Sequence, residues 1–189
     1  MTLLALLRHG DTAWSAEGRI QGRSDVPLSD VGRAALAGMR LPPRCREMRV
    51  VTSPLSRCTE TAALIGAPRA PVEARLVEMH WGEWEGRVLA ELRAEFGQAM
   101  RENEARGWDF RPAGGESPRE VLARARDWLV DVDVPTLAVT HRGVIRAIYA
   151  AAAGWDLRGA PPAKLDWQAV HVFRLGTAGA PTVEELNLR

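Results

Sequence analysis

Three times along this chain a short apolar, β-branched run stops abruptly and gives way to a helical pattern. Thr2 to Leu7 ends in Arg8-His9-Gly10, Arg49 to Thr52 in Ser53-Pro54, and Thr136 to Thr140 in His141. Runs of this length bounded by turn residues have the form of buried strands. Strand, turn and helix recurring from end to end call for an α/β fold: a three-layer sandwich whose mainly parallel sheet carries helices on both faces. The last two runs, Ala169 to Leu175 and Thr182 to Leu188, are joined by Gly176 to Pro181 as a hairpin, which adds one antiparallel edge strand. With 189 residues and no repeat period, a single domain over residues 1–189 accommodates the whole pattern.

Helix boundaries follow from capping chemistry. Ser29 is the expected N-cap of a helix that runs through Ala34-Ala35-Leu36 to about Arg40 and is closed by Pro42-Pro43. Ser53-Pro54 has the form of an N-cap with proline at the first helical position, opening a helix through Ile65. A short strand is expected over 70–74 and a helix over 88–106. Ser117-Pro118-Arg119-Glu120 is a capping box, in which serine and glutamate satisfy each other's orphan donors, so a helix should run from there to about Val130. A further helix over 144–153 should stop at Gly154.

Net charge is +1, so no global basic field would draw in nucleic acid or an anionic membrane, and any anion binding must be local. Lys164 is the only lysine among 25 basic residues, and with arginine this frequent its presence beside any one residue carries little weight. No apolar run approaches membrane-spanning length and no secretory leader is evident, which points to a cytoplasmic protein. Cys45 and Cys58 are too few for a disulfide framework and are expected as free thiols. No cluster has metal-ligand spacing, so neither metal nor cofactor is expected.

Ligands of open α/β sheets bind where loops leave the carboxyl ends of the strands. Parallel strands would place Arg8-His9, Ser53 with Arg57 one turn on, and His141 along one such rim. Two imidazoles and two guanidiniums converging there suit a dianionic phosphoryl group. A neutral His9 can attack phosphorus through one nitrogen while a carbonyl or carboxylate holds the proton on the other. Arg8, Arg57 and a protonated His141 would stabilise charge on the equatorial oxygens. A carboxyl must then serve the leaving group. Glu78, in the tryptophan-rich stretch from Leu76 to Gly86, is the leading candidate, with Glu83 and Glu85 as competitors.

These motifs resemble those of the histidine phosphatase superfamily, the phosphoglycerate mutase-like enzymes, over essentially the whole chain. Arg8-His9-Gly10 is similar to the family's nucleophile motif, which implies that His9 becomes phosphohistidine and that Arg8 binds phosphate. Ser53-Pro54-Leu55-Ser56-Arg57 with Glu60-Thr61 resembles the signature that implies phosphate binding by Arg57. Glu78, ahead of Trp81-Gly82 and Trp84-Glu85-Gly86, matches the family's proton donor and acceptor, and His141 its second histidine. Gly114-Gly115-Glu116-Ser117 is a further matching segment. Three positions depart from the pattern. Ser15 stands where relatives carry asparagine and is assigned a shorter-reaching phosphate contact; Asp11 replaces glutamate; and Arg142 follows His141 where relatives often have a small residue, and either adds charge near the pocket or points to solvent, the second being favoured.

The resemblance implies a metal-independent phosphomonoesterase acting on a small phosphorylated metabolite through a phosphohistidine. It implies no nucleic-acid or membrane partner and leaves a homodimer open. Alternatives are an alpha-ribazole 5'-phosphate phosphatase of cobalamin synthesis, whose nucleoside-like substrate would suit an aromatic wall of Trp14, Trp81 and Trp84, and a phosphoglycerate mutase. Only about thirty residues separate Gly86 from Glu116, a short cap that favours water entry over product retention. A non-catalytic phospho-ligand-binding module is the alternative of another class. His171 is expected to be structural, His80 to sit at an exposed edge, and Arg19 and Arg23 either to be solvated or to meet a second anionic group.

Overall fold

A computed structural model describes residues 1–189. Five strands, β1 (Thr2–Arg8), β2 (Arg49–Thr52), β3 (Thr136–Thr140), β4 (Val170–Leu175) and β5 (Pro181–Leu188), form one sheet in the order β2-β3-β1-β4-β5. The first three are mutually parallel, and β4 is antiparallel to both its neighbours, so the β4–β5 hairpin supplies the antiparallel edge. Six helices accompany them: α1 (Ala13–Ala16), α2 (Asp30–Ala37), α3 (Ser56–Leu64), α4 (Leu89–Glu104), α5 (Pro118–Leu129) and α6 (Arg142–Ala153).

Alternate side chains of β1 point to opposite faces, and both faces are covered. Leu4 and Leu6 pack with α5 and α6 on one side, while Ala5 and Leu7 pack with Cys58 and Ala62 of α3 on the other. A strand buried on both sides needs no polar alternation, which explains its unbroken apolar run. Each leucine so enclosed contributes about 1.5–3 kcal/mol. No helix is long and apolar enough to cross a membrane.

Several caps fall where serine spacing places them. Ser29 accepts from the Gly32 amide at the head of α2, and Ser117 and Glu120 close the reciprocal box on α5. Other expectations fail for identifiable reasons. Ser53 does not cap α3, which begins at Ser56; the cap comes from outside, where Asp25 Oδ1 accepts from the Ser56 amide and hydroxyl, both at 2.8 Å. Residues 70–74 form no strand: Val72 makes a single bridge to Thr52, and the chain then turns at Ala74–Leu76. The helix expected over 88–106 is interrupted at Gly97, whose φ of 47° takes it out of helical geometry.

Candidate active site

The sheet register brings the functional strand ends together. Arg8 pairs with Thr140 and Thr52 with Val139, so His9, Ser53 and His141 leave adjacent strands at nearly one level. Backbone bonds tie them there: the His9 amide donates to Thr140 O at 3.0 Å and the Ser53 amide to Val139 O at 2.9 Å. The two imidazole rings lie 5.2 Å apart, inclined at 60°.

His9 is 4% exposed, and its Nδ1 sits 2.7 Å from Gly10 O. A carbonyl oxygen can only accept, so Nδ1 carries the proton and Nε2 keeps its lone pair. Burial first, then the charges of Arg8 and Arg57, hold His9 well below the usual histidine range, and the ring is neutral near pH 7.

Arg57, on the first turn of α3, is fully buried. Its two terminal nitrogens donate to Ser24 O and Gly22 O, each at 2.8 Å, and so hold the loop after α1 over the site. Arg8 has one ion-pair partner, Asp11, at 3.6 Å. The Nε donors of both guanidiniums are buried without a partner. Such donors cost stability and recur at functional sites.

His141 is completely buried. Burial first, then His9, Arg57, Arg124 and Arg8, push it well below the usual range, so in the free protein it is neutral and not the imidazolium expected from its role. The reason is desolvation first and then charge: a buried cation added to three nearby arginines is unfavourable. Ser53 Oγ lies 2.6 Å from its Nε2, and the Cys58 sulfur lies 3.4 Å from the same atom. A hydroxyl both donates and accepts, so Ser53 can serve the neutral ring and the imidazolium alike. This partnership was hidden in the sequence because Ser53-Pro54 is also an ordinary helix-start signal.

Among the three candidate acids, environment decides. Glu78 is 8% exposed, with Oε1 accepting from the Met79 amide at 2.7 Å and Oε2 from the Gly143 amide at 3.2 Å. Burial raises its affinity for a proton above the usual carboxyl range, outweighing those two donors. Burial acts the same way on Glu85, but the Ser24 hydroxyl and the amides of Arg23, Trp81 and Ser24 prevail and hold it below that range. Glu85 is therefore a loop anchor, and Glu83 is exposed. Two carboxyls driven in opposite directions mark the one suited to proton transfer.

Other assignments change. Ser15 Oγ accepts from the Thr12 amide at 2.9 Å and donates to Thr12 O at 3.0 Å, completing the capping box of α1; its hydroxyl is thereby engaged in holding that turn. Trp84 stacks on Phe96 at 5.9 Å, and Trp81 meets Phe110 edge-on at 5.7 Å, so these rings build a small core under α4 instead of a substrate wall. Arg19 pairs with Glu17 and Arg23 with Glu116. Arg142 is exposed as a residue, but its guanidinium lies over the Trp167 ring instead of pointing freely to solvent. His171 is buried in β4, where its Nδ1 accepts from the Asn187 amide, and His80 is partly exposed beside Glu85.

The sequence model of the histidine phosphatase superfamily (branch 1) matches residues 4–189. The chain belongs to that superfamily. This histidine phosphatase is 34% identical over 162 residues to the 2,3-bisphosphoglycerate-dependent phosphoglycerate mutase 2 of Gloeobacter violaceus, covering 78% of this chain and 74% of the relative. It is 32% identical over 179 residues to the glucosyl-3-phosphoglycerate phosphatase of Mycobacterium tuberculosis, covering 82% and 79% respectively. The solved structure of the mycobacterial glucosyl-3-phosphoglycerate phosphatase complexed with VO3 superposes with a TM-score of 0.79 at 28% identity, over the full length of both chains. The protein is a phosphatase, a phosphomonoesterase of the histidine phosphatase type.

Proposed function

We propose that residues 1–189 act as one histidine phosphatase domain that hydrolyses a small phosphorylated metabolite through a phosphohistidine on His9, without metal. The observation that carries this reading is the 2.7 Å contact of His9 Nδ1 with Gly10 O, which leaves Nε2 unprotonated in a ring kept neutral by burial and two guanidiniums. Nε2 attacks phosphorus; the ester P–O bond breaks, and Glu78, whose proton affinity burial raises, gives a proton to the departing alkoxide. Glu78 then takes a proton from water as the water oxygen attacks the phosphohistidine, releasing inorganic phosphate and restoring His9. Arg8, Arg57 and His141, the last taking a proton from solvent as the dianion binds, hold the equatorial oxygens and provide the positive charge that a metal would otherwise bring.

The short connection between Gly86 and Glu116 favours water over a retained product, hence hydrolysis over mutase action. The rings that would have suited a nucleoside-like leaving group, as in alpha-ribazole 5'-phosphate, are engaged in packing at Trp81 and Trp84. The test is turnover of a chromogenic phosphomonoester in excess chelator, followed by rapid acid-free quench and mass spectrometry of the protein. We expect metal-independent hydrolysis, inhibition by vanadate, and a phosphoryl adduct on His9 that His9→Ala abolishes together with turnover. Full activity in His9→Ala would overturn the assignment.

A further inference from the structure

Arginines of this chain are mostly tied to carboxylates, as Arg19 is to Glu17, Arg23 to Glu116 and Arg124 to Glu116. Arg142 is not. It occupies the first position of α6, between His141 and Gly143, both of which belong to the active site. Its guanidinium carbon stands 4.8 Å over the centroid of the Trp167 ring. Topology explains why that ring is there. β4 is antiparallel to β1 with Val170 opposite Leu7, so the segment just before β4 emerges at the carboxyl end of β1, on the rim where His9 lies. Trp167 is itself packed on the main core, which gives the cation a rigid seat. One turn further along α6, Arg146 sits over Trp155 at 5.0 Å in the same manner.

The electrostatics agree with the geometry. Burial first, then the charge of Arg142, lower the proton affinity of Arg8, with Asp11 opposing. Glu78 is the only acidic group acting on Arg142. A cation held on an aromatic face at the mouth of an anion site, with its donors unpaired, is preorganised for a second negative group at a fixed offset from the phosphate.

Accepting the phosphatase reading above, we infer that Arg142, seated on Trp167 beside His141, selects phosphomonoesters whose leaving group carries a second anion, a carboxylate or a further phosphate. The contact is remote from the breaking bond and acts mainly on substrate binding.

Three esters isolate the effect: glycerol 3-phosphate, 3-phosphoglycerate, in which a carboxylate replaces the terminal hydroxymethyl, and glycerol 1,3-bisphosphate. We expect wild-type kcat/KM to favour one of the two anionic esters over glycerol 3-phosphate by roughly 10- to 100-fold. Arg142→Ala collapses that ratio toward one through KM, Arg142→Lys keeps part of it, and Trp167→Leu, which frees the guanidinium, lies between. Because each ratio is taken on one protein preparation, partial misfolding cancels. The anionic ester preferred identifies the second group. A wild-type ratio near one, or a ratio unchanged in Arg142→Ala, overturns the inference while leaving the phosphatase reading intact. Hydrolysis of the chromogenic ester with none of the three turned over overturns the inference alone, and only loss of the chromogenic activity as well overturns the phosphohistidine reading.

Discussion

Glu78 and Gly143 fit together only because one of them has no side chain. The Gly143 amide donates to Glu78 Oε2 at 3.2 Å, and a Cβ on Gly143 would overlap Oε1. Gly143→Ala must therefore displace the carboxyl while favouring the helix that carries it. Steady-state kinetics should show kcat lowered about 100-fold or more, with circular dichroism unchanged. An alanine variant with undiminished kcat would remove Glu78 from the proposed proton transfer.

Ser53→Ala leaves the buried His141 Nε2 with only the Cys58 sulfur at 3.4 Å, and burial keeps that thiol protonated. Loss of a buried partner costs about 1–3 kcal/mol. Competitive inhibition by inorganic phosphate should weaken about tenfold, and Ser53→Thr should restore much of it. Equal inhibition constants for wild type and Ser53→Ala would mean that the 2.6 Å contact does not position the ring.

His141 should take up a proton when a dianion binds. Sulfate has no proton of its own near neutrality, so calorimetric titration with it in buffers of different ionisation enthalpy reports only the protein's. Uptake approaching one proton at pH 7 is expected, because the anion supplies a counter-charge to an imidazolium now disfavoured by burial first and then by the neighbouring cations. His141→Asn should abolish it. Buffer-independent heats in the wild type would contradict this linkage.

Stability should fall on mild acidification. His9 and His141 are held below their ordinary value near 6.5, so the unfolded chain binds their protons at higher pH than the native state does. Their contribution is complete above about 6.5 and declines as pH drops toward the depressed native values. Glu78, raised by burial, acts in the opposite sense, stabilising at low pH and losing that contribution as pH rises through its native value. His171, also depressed by burial, acts with His9 and His141, and with three histidines against one carboxyl the urea midpoint should decrease between pH 7 and 5, and less steeply in His141→Asn. A midpoint that rises over that interval would refute the balance.

The activity profile follows from the same groups. Hydrolysis needs His9 neutral and Glu78 protonated, so kcat/KM should have an acid limb below the ordinary histidine range and an alkaline limb above the ordinary carboxyl range. Glu78→Gln should remove the alkaline limb.

How far the sequence could be read depended on the distance over which each feature is decided. Ser117 to Glu120 is a self-contained capping box, and it forms as its spacing requires. Ser53-Pro54 looked equally local, yet Asp25, some thirty residues away, caps α3, and Ser53 turns to His141 instead. Ser15 and the tryptophans show the same limit. A hydroxyl suited to phosphate completes a helix turn, and two of the three rings suited to a substrate wall, Trp81 and Trp84, pack in a core, because a side chain's type does not state which neighbour the fold will bring to it.

What the chain's letters determined alone was the sequence of strand ends and the residues standing on them, Arg8-His9, Ser53 and His141, because apolar runs and turn residues act over a few positions. Only the folded structure decided which of three glutamates is buried so that its proton affinity rises, that burial and neighbouring cations disfavour the His141 imidazolium, and that Arg142 lies on Trp167. Those outcomes are set by desolvation and by contacts between distant segments, and neither quantity exists until the sheet has assembled.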